Sequence, residues 1–294
     1  MLWPKSMDFY FGLRQRLWVP FVYRARVAVN SQRCGIDPDD CTLLKQLRRE
    51  SVATTTLDHL GLPRTQAFQA AARRVLAGLP GRGGLATEGD RLFVRNTHLH
   101  CLSVDPPDLA RHSMDLLLFG LNERILNLVQ SYLGLPVALT AAHLRWDIGN
   151  GEQVGTRFWH LDVEDLHVVR MIVYLTDVLA DTGPFEYIPK RCNRHIRDWT
   201  DRALRSASHD PIFDAEMRNR VPESAWRSVL GGAGTILLAD TAVLFHHGKI
   251  HNSERVAMVY TYTTRHPHYP KIVRNASLDG CLSERQRACF YVAT

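Results

Sequence analysis

Histidines and one acidic residue at a short spacing are where this sequence can do chemistry. His160-Leu161-Asp162 forms a His-x-Asp. With 14 histidines and 20 aspartates in 294 residues, about one such pair arises by chance, so its setting must add weight. Trp159 precedes it, and the glycine-bearing loop DIGNGEQVGTRF leads into it. On a strand, residues i and i+2 share a face, so His160 and Asp162 can aim at one metal ion. Far downstream, DTAVLFHHGKIHNSERVAMVYTY supplies His246, His247 and His251 as candidates for a third ligand, then Arg255. Alternation on a strand forbids His246 and His247 from both facing the ion. Two imidazoles and one carboxylate suit Fe(II) and leave positions open. The keto acid of 2-oxoglutarate would fill two of these, and dioxygen the last. The far carboxylate of 2-oxoglutarate wants a planar cation, which Arg255 offers. No GxGxxG, GxSxG, HExxH or Walker A pattern competes with this reading.

Other polar residues read as less involved. His98 and His100 form a His-x-His without the Asp of a metallohydrolase and read as ordinary strand or loop residues. Arg145, Arg157 and Arg170 lie on or beside strand-like runs and read as surface charges. Tyr174 follows the His-x-Asp on such a run, where contact with 2-oxoglutarate and core packing fit equally well.

The elements that must position these residues follow from periodicity. Residues 41–61, 65–78 and 107–133 carry apolar residues at helical spacing, the first opening after Asp39-Asp40. Beyond Pro136 the pattern changes to VALTAAHLRW, VVRMIVYLTDV, GTILLAD, AVLFHH and RVAMVYTYTTR, runs rich in Val, Ile, Thr and Tyr between turn residues. No regular helices separate them, so a parallel βαβ sheet does not fit and an antiparallel jelly roll does. The expected fold is α+β: a double-stranded β-helix core over about 137–265, flanking N-terminal helices, and a helical insertion over 193–230. Helical segments are expected around Trp199–Ala207 and Asp214–Arg220, and the insertion reads as a lid over the barrel mouth.

Composition bounds the alternatives. Hydrophobic residues make up 45% and charged residues 22%, which excludes disorder and coiled coil. No run reaches the roughly 18 apolar residues of a spanning helix, and arginines interrupt the apolar stretches a signal peptide would need. The six cysteines include no CxxC pair, so free thiols and a cytoplasmic location are expected. Nearly all of the +6 net charge sits in residues 1–33, where six basic residues face only Asp8 among seven aromatics. We read residues 1–40 as a basic aromatic arm that packs on a single domain, 41–294, with peripheral membrane contact as the lesser alternative. The near-neutral remainder argues against nucleic acid.

The ordered set Trp159-His160-Leu161-Asp162, then YLTDVLADTGPFEYIPK (Tyr174–Lys190), then GTILLADTAVLFHHG and Arg255 resembles the phytanoyl-CoA dioxygenase family of Fe(II)/2-oxoglutarate oxygenases. The resemblance covers roughly 137–265. It implies His160, Asp162 and His246 as iron ligands, His246 being chosen because Gly248 follows at +2, with Arg255 as the 2-oxoglutarate anchor. It also implies oxidation, most often hydroxylation, of a small-molecule or carrier- or CoA-bound metabolite, since Asp162 stands where halogenating relatives carry a small residue. The chain departs from the family pattern at Asp181-Thr182-Gly183-Pro184, at Pro189–Cys192 and at Gly248, so the family's substrate does not carry over. A cupin-type metal isomerase or lyase would keep the metal, drop 2-oxoglutarate and leave Arg255 paired with an acidic residue. A non-catalytic binding protein docking through the arm would bind no iron.

Overall fold

In a computed structural model the structure describes residues 19–30, 37, 40–77, 94–98, 100–104, 113–206, 209–267 and 282–290. Most of the basic arm and the glycine-rich stretch 79–90 lie outside the described residues.

Several helices before the sheet bury an apolar side. Helix α1 spans Val19–Asn30 and α2 spans Asp40–Glu50, which buries Leu43, Leu44 and Leu47. The single helix expected over 41–61 stops at Glu50. Ser51 takes a positive φ of 60°, and the β-branched run Val52–Thr56 extends as strand β1. A short helix α3 (Leu57–Leu60) follows, with the Thr56 hydroxyl accepting from the His59 N–H at 3.1 Å. Helix α4 covers Thr65–Ala77. The expected helical stretch 107–133 is two helices, α5 (Met114–Phe119) and α6 (Glu123–Leu133), the second capped by Asn122 and closed by Gly134 in the left-handed region.

The strands are β2 (Val94–His98), β3 (Cys101–Val104), β4 (Val137–Asp147), β5 (Val169–Tyr174), β6 (Phe185–Tyr187), β7 (Arg227–Val229), β8 (Thr235–Asp240), β9 (His246–Gly248) and β10 (Arg255–Thr264). They form a seven-stranded sheet, β1-β8-β5-β10-β4-β3-β2, and a three-stranded sheet, β7-β6-β9. Every pairing is antiparallel, as the jelly-roll reading requires. Alternation gives the large sheet two apolar faces. Val169, Met171, Val173, Met258 and Tyr260 pack outward on α5 and α6. Ile172, Tyr174, Ala257 and Val259 pack inward towards Phe185 and Val229 of the small sheet.

Residues 193–230 hold helices α7 (Thr200–Ser206) and α8 (Asp214–Arg218) with short 3-10 turns. They have a core of their own: Ile196, Ala203, Ile212, Met217 and Trp226 close around Trp159, Leu161 and Phe245. No described residue of the insertion lines the barrel cavity; the segment packs beside the barrel as a buttress for the His-x-Asp segment. Helix α9 (Glu284–Cys289) closes the described chain. In α1, the Tyr23 hydroxyl donates to the Leu133 carbonyl, while Phe21 is exposed. Among the described residues no helix is long and apolar enough to cross a membrane, and Cys41, Cys101, Cys192 and Cys289 form no disulfide.

Candidate metal centre

Two facing backbone segments bring the histidines together. The His160 N–H donates to the His246 carbonyl at 3.0 Å and the His246 N–H returns the bond at 3.1 Å, an antiparallel bridge that adds His160 to the edge of the small sheet. Residues paired this way present their side chains on one face, and the two rings lie 4.2 Å apart. Along the His-x-Asp the N–H groups alternate between two neighbours. Those of His160 and Asp162 bond to His246 and Thr241, while those of Trp159 and Leu161 bond to Ile212 and Ala203 of the insertion, all at 3.0–3.1 Å. The segment is therefore held on both edges, and the insertion is one of them.

One ligand atom each from His160, Asp162 and His246 falls within 4.8 Å of the others, a spacing a single ion can bridge. The ring bonds suit that use. The His160 Nδ1 lies 2.7 Å from the Phe158 carbonyl and the His246 Nδ1 2.9 Å from that of Leu244. A carbonyl only accepts, so each Nδ1 carries the proton and each Nε2 keeps its lone pair. Burial pushes both imidazoles towards the neutral form, with His246 lowered to about 3 by burial and by His160. Burial opposes the Asp162 charge, but the Arg170 guanidinium against it, with His246, holds its pKa well below the usual carboxylate range. These donors fit a divalent ion.

The other histidines face elsewhere. His247 stacks on Trp159 with ring centres 3.9 Å apart, and its ring nitrogens meet Glu186 Oε2 and the Arg157 carbonyl, each at 3.0 Å. His251 sits 3.0 Å from an Arg157 Nη2. It also lies under Gly183, whose φ of +72° and contact with the ring leave no room for a Cβ. His100 is buried with Nε2 3.1 Å from the Thr156 hydroxyl, and His98 lies on β2.

The three arginines read from the sequence as surface charges point inward. Arg145 and Arg170 line a cavity together with His160, Asp162, His246 and Arg255. Arg170 donates to Asp162 Oδ2, to Glu164 Oε1 at 3.2 Å and to Thr261 Oγ1 at 3.1 Å. Arg157 is buried and ties the loop before the His-x-Asp together, bonding Asn150, the Ile148 carbonyl and the Glu152 carbonyl. The signal for the first two was present: His143, Arg145 and Asp147 alternate with Leu144 and Trp146, and the polar face of a barrel strand can be its inside. Asp147 was not singled out. It is buried, accepts Arg145 Nε at 2.8 Å on Oδ1, and accepts Arg255 Nε at 3.1 Å and Nη2 on Oδ2. Arg255 also donates to the Gly183 carbonyl. Tyr174 is buried on the inner face, with its hydroxyl donating to the Val229 carbonyl at 2.9 Å.

No protein-family model matches this chain, and no curated protein matches it. Among solved structures, EctD from S. alaskensis in its apoform superposes with a TM-score of 0.52 at 19% identity, covering 90% of this chain and 91% of EctD. HygX from Streptomyces hygroscopicus, solved with nickel, 2-oxoglutarate and hygromycin B, scores 0.49 at 14% identity, with 81% and 94% covered. The epimerase SnoN, in complex with Fe3+, alpha ketoglutarate and nogalamycin RO, scores 0.49 at 18% identity, with 80% and 87% covered. The chain shares the overall fold of EctD.

Proposed function

We propose that this chain is an Fe(II)/2-oxoglutarate-dependent oxygenase that oxidises, most simply hydroxylates, a small-molecule or carrier-bound substrate. The observation that carries this reading is that one ligand atom each from two imidazoles and one carboxylate lies within 4.8 Å of the others at the wall of a cavity. His160, Asp162 and His246 would hold the iron. Bound there with 2-oxoglutarate, iron would supply the oxidising power of dioxygen and release succinate and CO2. The chain's part is to fix the ligands and to hold the cosubstrate. Arg170 steadies Asp162, the Phe158 and Leu244 carbonyls fix the imidazole tautomers, and the wall made by Arg145, Asp147 and Arg255 offers a cation to a carboxylate. Ile172, Phe185, Ala257 and Val259 give the cavity an apolar side. Tyr174 supports that side from behind through Val229.

One observation favours a second reading. Arg255 is already paired with Asp147, as a metal-dependent isomerase or lyase that does not use 2-oxoglutarate would have it. Succinate release from 2-oxoglutarate by the Fe(II)-loaded protein separates the two. The oxygenase reading expects slow, oxygen-dependent release even without substrate, and its loss in Asp162→Ala. No release from the iron-loaded protein under any substrate mixture favours the isomerase or lyase.

A further inference from the structure

Two histidines stand side by side in β9, and only His246 joins His160 and Asp162. His247 is buried all the same. His160 and His246 are paired antiparallel, so the residues flanking them, Trp159 and His247, are cross-strand neighbours on the reverse face. There the indole and the imidazole stack 3.9 Å apart with an angle of 26° between the rings. The same row continues across the small sheet. His247 is the register partner of Glu186 on β6, and Glu186 is the partner of Ser228 on β7. His247 Nε2 lies 3.0 Å from Glu186 Oε2, and the Ser228 hydroxyl donates to Glu186 Oε1 at 2.6 Å. His247 Nδ1 donates to the carbonyl of Arg157 at 3.0 Å, two residues before Trp159. The Trp159 indole donates to Asp214 of the insertion at 2.8 Å.

Burying a carboxylate beside an imidazole is costly, and an apolar pair would fill the same space more cheaply. What the polar row adds is direction. Strand β9 is three residues long, and the His-x-Asp segment meets it in one bridged pair. So few backbone bonds hold the two ligand-bearing segments together loosely. The Trp159–His247 stack and the bonds to Glu186 and Arg157 brace them from behind, and they reach β6, β7 and the 3-10 turn Gly155–Arg157.

We propose that His247 is a positioning residue for the metal centre: with Glu186 and Trp159 it locks β9 against the His-x-Asp segment and so sets the spacing and tilt of the His160 and His246 imidazoles. This rests on reading His160, Asp162 and His246 as the ligands. The histidine doublet thereby divides its work, one ring for the ion and the next for the frame behind it.

The test is anaerobic competition for Fe(II) against a chromophoric chelator, with the visible absorption of the Co(II)-loaded protein as the reporter of ligand geometry and thermal unfolding as the check on the fold. His247→Ala should bind Fe(II) about 10–100-fold more weakly than the parent and shift the Co(II) bands. His247→Gln places an amide nitrogen where the ring Nε2 stood and should recover part of that loss. Glu186→Gln keeps the size of the side chain and should weaken Fe(II) binding about tenfold; these two variants carry the test if His247→Ala does not fold. Tyr262→Phe removes a hydroxyl bond to the Gly120 carbonyl on the helix-covered face of the large sheet, and should lower the melting temperature with parent-like Fe(II) affinity and Co(II) bands. Parent-like affinity and bands in folded His247 and Glu186 variants, or a loss of affinity in Tyr262→Phe equal to theirs, overturn the inference and leave the ligand assignment standing. A parent that binds no Fe(II), or a His246→Ala protein that binds it as tightly as the parent, overturns that assignment and the inference with it.

Discussion

Replacing Arg170 by Lys isolates what its guanidinium does for Asp162. Arg170 bonds Asp162, Glu164 and Thr261 at once, from three different nitrogens. Lysine keeps the charge, so the repulsion a cation feels from this wall changes little. Its ammonium is a point donor without the planar fork and cannot hold three partners in fixed directions. What is lost is the aim of the Asp162 carboxylate. A hydrogen bond to a charged group contributes about 1.5–3 kcal/mol, and partners that orient metal ligands are worth about 10–100-fold in metal affinity. That range converts to about 1.4–2.8 kcal/mol, so the two figures agree. A neutral replacement is a poorer probe, because removing a positive charge near a dication gives a Coulomb gain that opposes the orientation loss. Anaerobic competition against a chromophoric chelator measures the Fe(II) affinity, with thermal unfolding as the check on the fold. Arg170→Lys should bind Fe(II) about 10–100-fold more weakly than the parent. Parent-like affinity in a folded Arg170→Lys protein would refute the reasoning that Arg170 aims Asp162.

Four further outcomes follow from the same geometry. Trp159→Phe removes the indole N–H that donates to Asp214 at 2.8 Å, and urea unfolding should show a loss of about 1.5–3 kcal/mol. A short linker in place of residues 200–225 should unfold the protein or abolish Fe(II) binding, because Ile212 and Ala203 hold the backbone on either side of His160; full activity in such a protein would return the segment to decoration. Tyr174→Phe should cost about 0.5–1.5 kcal/mol through Val229 and leave 2-oxoglutarate affinity unchanged, whereas weakened cosubstrate binding would put the hydroxyl in the site. For pH, His246 is lowered to about 3 in the folded chain, against about 6.5 unfolded. The unfolded chain takes up that proton first, so the stability of the metal-free protein is full above pH 6.5 and falls as pH drops below it. The His246 share is about 1 kcal/mol between pH 7 and 5.5, and His246→Ala should be flatter by that amount in urea melts at the two pH values.

The jelly roll was legible because its strands are unusually explicit. Val169–Tyr174 and Arg255–Thr264 read as β from composition alone, and the structure pairs them antiparallel. The convergence of His160 and Asp162 was legible for a local reason, since an i, i+2 pair on extended backbone must share a face. The arginines were not, because alternation says which residues share a face and not whether that face meets water or a cavity. Arg145 and Arg170 are polar residues on strands whose other face packs on helices, and the enclosed side was taken for solvent. Asp147 escaped notice because its partners are 2 and 108 residues away, a pairing that only the β4–β10 register reveals. The helix expected over 41–61 failed at VATTT, where β-branched residues next to an open edge of the sheet extend and pair with β8. The insertion was legible as helical, but its role depends on Trp159 and Leu161 burying against it, which no local pattern encodes.

The most direct measurement is anaerobic Fe(II) titration of the parent chain and of His160→Ala, Asp162→Ala and His246→Ala, each with its unfolding curve. The account predicts one Fe(II) per parent chain, sharply weakened binding in all three variants, and a cooperative fold retained in each. A folded Asp162→Ala protein that binds one Fe(II) as tightly as the parent would contradict it.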